Sequence, residues 1–154
     1  MKKPIVSPLT PDQVVKNALK HIHQQAFRYG LDALTYAANY GNLYEHLNTN
    51  HAGMRLPPSV RLSEAVLFEW RRQVSKDDPH QEIVIFTPTK VLQKVVTWYK
   101  TSRGAFSVAT LREVSIEEVL SYARTCPQFV THVARCMSVM CSRIKKYRTL
   151  SHVR

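Results

Sequence analysis

Four side chains in the last third of the chain could bind a metal or act as nucleophiles: Cys126, His132, Cys136 and Cys141. His132 and Cys136 lie four residues apart, so they share one face of a predicted helix. A closed zinc site needs four ligands, usually with roughly two to four residues between the first pair. Cys126 does not have that spacing, and Cys141 lies more than a turn beyond Cys136. We therefore expect buried, inert thiols and no metal.

The acidic and nucleophilic residues show no catalytic arrangement. The sequence contains no glycine-rich phosphate loop, no nucleophile elbow and no HExxH zinc motif. Carboxylates are scarce, and no pair has a spacing that suggests a general acid and base. His21 and His23 lie two residues apart on a predicted helix, so they point to different faces and do not share an ion. We predict that the protein is not an enzyme and needs no cofactor.

Basic residues dominate the composition. Among 154 residues, 22 are Lys or Arg and 11 are Asp or Glu, which gives a net charge of +11. Such an excess favours polyanionic partners such as nucleic acid or anionic lipid. Residues 81–154 hold twelve Lys/Arg against four Asp/Glu, and residues 143–154 hold five Lys/Arg and no acid. A nucleic-acid surface is therefore expected in the C-terminal half.

The composition also predicts a cytoplasmic protein. Its three cysteines are few and odd in number, which fits a reducing compartment. No apolar run approaches the roughly 18 residues of a membrane span, and no apolar stretch of the signal-peptide type follows the basic first residues. We expect one compact fold with a core, since 44% of the residues are apolar, and no membrane partner.

The N-terminal half is predicted to be helical. Thr10 is followed by Pro and, three residues on, by Gln, which is the pattern of a capping box at a helix start. Apolar residues then recur every three or four positions until Gly30, where the helix should stop. A second helix is predicted over residues 31–40 and a third over 62–74. Residues 1–78 thus form a predicted helical region.

The second half contains one clear strand. Residues 82–86 are β-branched and aromatic and lie between two prolines. Apolar residues at helical spacing then predict one helix over 88–104, another over 107–122 and a long helix after Pro127.

A lone strand cannot satisfy its own backbone N–H and C=O groups. Two solutions are open. The strand could pair with other strands that the sequence pattern does not reveal, or with the same strand of a second chain. The second solution predicts an antiparallel two-stranded ribbon in a homodimer with twofold symmetry.

Residues 82–122 resemble the ribbon-helix-helix DNA-binding fold of the methionine and Arc repressors. In that family an alternating strand meets a proline that opens a helix, a glycine closes this helix, and a second helix capped by Ser or Thr follows. The corresponding positions here are the strand 83–87, Pro88, Gly104 and Ser107. The second helix would have the sequence Ser-Val-Ala-Thr-Leu-Arg-Glu-Val-Ser-Ile-Glu-Glu-Val-Leu. The loop between the two helices is one residue longer than is typical.

This resemblance implies a mainly α fold with a single dimeric ribbon. Residues 79–154 would hold the ribbon-helix-helix unit and a C-terminal basic helix, after the helical region 1–78. The implied function is a sequence-specific, DNA-binding regulator of transcription, of plasmid or phage type. It would act as a homodimer whose ribbon enters the major groove of double-stranded DNA.

The resemblance also implies the contacts to DNA. Base contacts would come from the outward strand residues Glu82, Val84 and Phe86, although the family places Lys, Arg, Asn, Gln or Thr there. A register shifted by one residue would expose Gln81, Ile83 and Ile85 instead. Phosphate contacts are expected from the start of the second helix and from basic side chains. The candidates are Lys90, Lys94, Lys100, Arg103, Ser107, Arg112, Arg143, Lys145, Lys146 and Arg148.

Two other classes of function remain open. One is a basic accessory protein that binds RNA or single strands without reading bases, with an affinity that falls steeply with salt. The other is a helical adaptor whose positive face binds an acidic protein. In all three cases the apolar stripes, including Trp98 and Tyr99, are interpreted as core or dimer packing.

Overall fold

The computed structural model describes residues 9–38, 41–47, 54, 56–58, 60, 63–73, 77 and 79–152. The elements in this part of the chain are α1 (Pro11–Ala37), α2 (Leu43–Leu47), β1 (Phe68–Gln73), β2 (His80–Phe86), β3 (Val91–Thr101), β4 (Gly104–Glu113), α3 (Ile116–Thr125) and α4 (Pro127–His152). The strands form one antiparallel sheet in the order β1-β2-β3-β4. The chain therefore has an α/β fold.

The predicted fold class, mainly α with a single dimeric ribbon, is wrong. The predicted strand is β2, and both of its edges pair within the same chain, so that Val84 lies opposite Trp70 of β1 and Gln93 of β3. The strand finds its partners among strands that the sequence pattern did not reveal. This pairing removes the reason for predicting a ribbon homodimer. The predicted boundary after residue 78 falls between two paired strands.

Three predicted helices contain strands instead. The segment predicted as a helix over 62–74 contains β1, and those over 88–104 and 107–122 contain the long hairpin of β3 and β4. The apolar residues of β3 fit helical spacing, but the segment is also rich in β-branched and aromatic residues, which pack well on a pleated sheet. The hairpin turns just before Gly104, whose φ of 127° suits glycine.

The second helix of the predicted motif begins later than expected. Ser107, the predicted cap, lies inside β4 opposite Trp98. The helix that does form, α3, is capped by Ser115, whose Oγ accepts a hydrogen bond from the Glu118 N–H at 3.3 Å.

Helices α1 and α4 follow the sequence predictions. Thr10 and Gln13 form the predicted capping box, and α4 begins at Pro127 and packs along α1. Gly30 interrupts α1 with φ 79° and ψ 175°, a conformation that only glycine adopts without strain. Residues 31–37 therefore form a second helical segment, as expected for the short helix predicted there.

The centre of the sheet is buried on both faces. The first face, which includes Trp70, Val84 and Phe86, packs against α1, α3 and α4 in the larger core cluster. The second face carries Ile83, Ile85, Leu92 and Leu111 and packs with Leu43 of α2. Successive side chains of a strand alternate between faces, so a strand segment buried on both faces has a continuous apolar sequence, as residues 83–86 of β2 do.

Candidate nucleic-acid interface

The residues predicted to contact bases do not form an open surface. Val84 and Phe86 are completely buried, and the Phe86 ring stacks on Phe68 with 4.4 Å between centroids. The alternative register is no more accessible, because Ile83 and Ile85 are buried on the second face. Base reading by β2 is therefore not possible in either register.

Glu82, the third predicted base contact, is the centre of a polar network on the first face. Its carboxylate accepts hydrogen bonds from the side chains of Gln93 and Tyr122 and from Arg72, at 3.0 Å. The Arg72 guanidinium also lies over the rings of Trp70 and Tyr122, 5.8 and 5.7 Å from their centroids. Burial and the Glu82 carboxylate together raise the pKa of the Tyr122 phenol. This network links three strands to α3 and explains why an acid is placed here.

Arg112 extends the same network to β4. Its Nε donates to Gln93 Oε1 at 2.7 Å, and its two terminal nitrogens donate to Glu118 at 3.1 and 2.5 Å. The Arg112–Glu118 hydrogen bonds raise the pKa of the guanidinium and lower that of the carboxyl. A predicted phosphate contact is thus neutralised by a carboxylate of its own chain.

Four other predicted phosphate contacts are engaged elsewhere or lie inside the protein. Lys94 and Ser107 are 1% and 5% exposed, and the Ser107 N–H is in a strand, not at a helix start. Arg143 donates to the Ala38 carbonyl near the end of α1 at 2.8 Å. Arg148 lies over the Tyr29 ring, 4.9 Å from its centroid.

Lys94 belongs to a buried charged cluster on the second face of the sheet. Burial, and to a smaller extent the charge of Arg71, lower the pKa of Lys94 to about 8, while Glu69 opposes this. Glu69 also lies 2.7 Å from Arg71 Nε and 3.2 Å from His46 Nε2. The side chains of Glu69, His46 and Lys94 are almost wholly enclosed, so Lys94 is not accessible to a large polyanion.

The β3–β4 hairpin continues beyond the rest of the sheet. The last residue of β3 that pairs with β2 is Thr97, opposite His80, and one further hydrogen bond joins Trp98 N–H to the Pro79 carbonyl at 2.9 Å. From Tyr99 to Phe106 the two strands pair only with each other among the described residues. We call residues 99–106 the arm.

The arm and its base carry three exposed aromatic side chains. Trp98, Tyr99 and Phe106 are 54%, 47% and 43% exposed. Tyr99 and Phe106 lie opposite each other and stack, with 5.2 Å between ring centroids and 20° between ring planes. By the alternation of β3, Trp98 and Lys100 lie on the other face of the ribbon. Aromatic area therefore lies on one face of the arm and, through Trp98, on the opposite face of its base.

The charge of the arm is entirely positive. It contains Lys100 and Arg103, both exposed, and no acid. The wider segment from Ile83 to Arg112 has five Lys/Arg and no Asp or Glu. Of the ten predicted phosphate contacts, Lys100 and Arg103 are the two that lie in the arm with Tyr99 and Phe106. Lys145 and Lys146 line a different surface together with Tyr36, which is 47% exposed.

The remaining cations lie apart from the arm. Lys145 and Lys146 are exposed on α4, which packs on α1, α3 and β1, whereas the arm extends from β3 and β4. Lys90 lies in the turn between β2 and β3, at the opposite end of β3 from the arm. The structure thus divides the predicted phosphate contacts among several surfaces.

Sequence reasoning missed the aromatic part of this surface. Trp98 and Tyr99 were interpreted as packing residues, and Phe106 was not singled out. The available signal was the high content of β-branched and aromatic residues on both sides of a central Ser-Arg-Gly turn.

Other types of site find little support. In the part of the chain that the structure describes, no three His, Cys, Asp or Glu side chains are placed to hold a metal ion. None of the helices described there is both long and apolar enough to cross a bilayer. Family models, curated proteins and solved structures provide no match to this chain. Any function therefore has to be argued from its own residues.

Proposed function

We propose that this protein binds single-stranded nucleic acid through the arm, as a basic accessory protein that does not read base sequence. The observation that carries the proposal is the stacked, half-exposed pair Tyr99–Phe106 on a ribbon with two cations and no carboxylate. Proteins that bind single strands combine aromatic platforms for base stacking with positive charge along the backbone.

The exposed rings favour single strands over duplexes. The flat face of a base is covered by its neighbours inside a duplex, and it becomes available to an aromatic side chain when the strand is unpaired. The arm also lacks the Asn, Gln and acidic side chains that distinguish base pairs at their edges. Stacking accepts every base, and the proposal assigns Lys100 and Arg103 to phosphates and not to base edges, so binding should depend little on sequence.

Binding of a fluorescein-labelled thymidine oligonucleotide, measured by fluorescence anisotropy, tests the proposal. Replacing Tyr99 or Phe106 by Ala should weaken binding about tenfold each, since stacking of one base contributes roughly 1–3 kcal/mol. The double variant Lys100→Gln/Arg103→Gln should lower the slope of log K against log salt by about 1.4, that is, about 0.7 for each phosphate that the protein no longer neutralises.

A charge-matched control is available on α1. The double variant Lys16→Gln/Lys20→Gln removes the same charge from a different surface and should leave oligonucleotide affinity within about threefold of the wild type. Equal losses in both double variants would show that net charge, not the arm, determines binding. The proposal would also be refuted by a duplex that competes better than the single strand of the same sequence.

A further inference from the structure

A groove separate from the arm opens between α1, the β2–β3 turn and the start of α3. Its volume is about 510 Å³, which is within the usual range for small-ligand sites. The α1 wall contributes Lys16, Leu19, Lys20 and His23, the turn contributes residues 87–91, and residues 113–116 with Val119 complete it.

The floor of the groove is apolar. Ile22, Val91, Val114 and Val119 are buried there as part of the larger core. Ile116 lines the groove and is nevertheless 60% exposed. An apolar floor with a large aliphatic side chain beside it can contact a ligand with an apolar body.

The rim of the groove is positively charged. Lys16, Lys20 and His23 follow each other at four- and three-residue spacing on one face of α1, and all three are exposed. Lys90 stands on the opposite wall, and Glu113 is the one carboxylate among the lining residues that the structure describes. Two lysines four residues apart repel each other on a helix, and a bound anion would relieve that repulsion.

The turn opposite α1 is held in place before any ligand arrives. Thr87 N–H donates to the Lys90 carbonyl at 3.0 Å, Thr87 Oγ1 donates to the same carbonyl at 2.8 Å, and Lys90 N–H donates to Thr87 Oγ1 at 3.1 Å. Thr89 is further tied by its hydroxyl to Glu64. A wall fixed in this way loses little conformational entropy when a ligand binds.

We propose that this groove binds a small anion with an apolar body, of carboxylate or phosphate type. The head group would lie among the cations of the rim and the body on the apolar floor beside Ile116. An inorganic anion would not cover the apolar floor, and a neutral lipid would make no ionic contact with the cations of the rim. The site is independent of nucleic-acid binding by the arm.

Titration calorimetry with the full chain tests this site, using ligands of equal chain length below the concentration at which they form micelles. Decanoate and decyl phosphate should both bind and should raise the melting temperature. Decyltrimethylammonium has the same chain with the opposite charge, and it should bind at least about tenfold more weakly. Inorganic phosphate should not compete.

Variants locate the binding. Lys16→Gln/Lys20→Gln should weaken decanoate binding about tenfold, and Ile116→Ser should weaken it about threefold. The arm variant Lys100→Gln/Arg103→Gln has the same net charge as Lys16→Gln/Lys20→Gln, and it should bind decanoate with the affinity of the wild type. All four replaced cations are exposed, so circular dichroism is expected to show an unchanged fold. Equal binding of the cationic and anionic chains, or equal losses in the two double variants, would overturn the proposal.

Discussion

Arg72 and Glu82 lie directly opposite each other on β1 and β2, and the guanidinium donates to Glu82 Oε2 at 3.0 Å. The same carboxylate accepts hydrogen bonds from the side chains of Gln93 in β3 and Tyr122 in α3. One acidic side chain, 16% exposed, thereby connects three strands and a helix on the face of the sheet that also carries the main core.

We expect Glu82→Ala to destabilise the protein by about 2–4 kcal/mol, because it leaves the Arg72 charge and the Tyr122 hydroxyl without their acceptor in a partly buried place. Urea denaturation measures the free energy of unfolding. Glu117→Ala, on the exposed first turn of α3, is the control and should cost less than about 1 kcal/mol. Equal effects would show that the network contributes nothing beyond an ordinary surface charge.

Phe86 and Phe106 should respond in opposite ways to replacement by Ala. Phe86 is fully buried between other aromatic rings, so its loss should cost about 3–5 kcal/mol of unfolding free energy. The folded fraction should still bind the oligonucleotide normally. The Phe106→Ala variant should have nearly the same urea midpoint of unfolding as the wild type, and it should bind the oligonucleotide more weakly. A stable Phe86→Ala variant that no longer binds would restore β2 as a contact surface.

The pKa of Lys94 makes stability depend on pH in the alkaline range. Burial lowers this pKa from 10.5 to about 8, so between those values the unfolded chain holds a proton that the folded chain has released. The contribution of Lys94 to the free energy of unfolding therefore rises with pH between about 8 and 10.5. The penalty for the buried charge is fully present below about pH 8 and is relieved as the pH approaches 10.5.

Lys94→Met isolates this contribution from other titrating groups. The difference in unfolding free energy between the variant and the wild type should shift by up to about 3 kcal/mol in favour of the wild type from pH 7 to pH 10.5. Urea denaturation at a series of pH values measures it. A constant difference would mean that Lys94 is solvated in the folded protein.

Gly30→Ala should destabilise the protein by about 1–3 kcal/mol. Apart from neighbouring residues of the same helix, a Cβ at this position would meet no atom of the described residues within 4 Å, and the backbone has φ 79°, so we expect the cost to be conformational. Gln24→Ala, on the exposed face of the same helix, should change stability by a few tenths of a kcal/mol. If neither substitution changes the free energy of unfolding, then residue 30 can adopt a regular helical conformation without destabilising the protein.

The helical termini could be predicted because their signals are local. The capping box at Thr10 and the proline that opens α4 act within one turn, and both appear as expected. Gly30 was likewise recognised as an interruption of the first helix. Each of these features depends on the chemistry of a few consecutive residues.

The sheet could not be predicted in the same way because strands depend on partners distant in sequence. The apolar residues of β3 recur at helical spacing although the segment is rich in β-branched and aromatic residues, and only pairing with β2 and β4 decides between helix and strand. The same limit applied to the site. Cations were identified by type, but the burial of Lys94, the ion pair of Arg112 and the exposure of Phe106 arise from tertiary structure.

The strand order has a consequence for contacts between copies of this protein. β2 is interior, and the margin of the sheet at β1 is approached by α4, where His132 Nε2 lies 2.5 Å from the Glu69 carbonyl oxygen. β4 forms the other margin, with Thr110 and Arg112 exposed along it. A charged side chain on an edge strand discourages the addition of further strands. Self-association through backbone pairing would therefore begin at β4 or at the end of β3 beyond Thr97, which has no partner strand on its other side among the described residues, and not at β2.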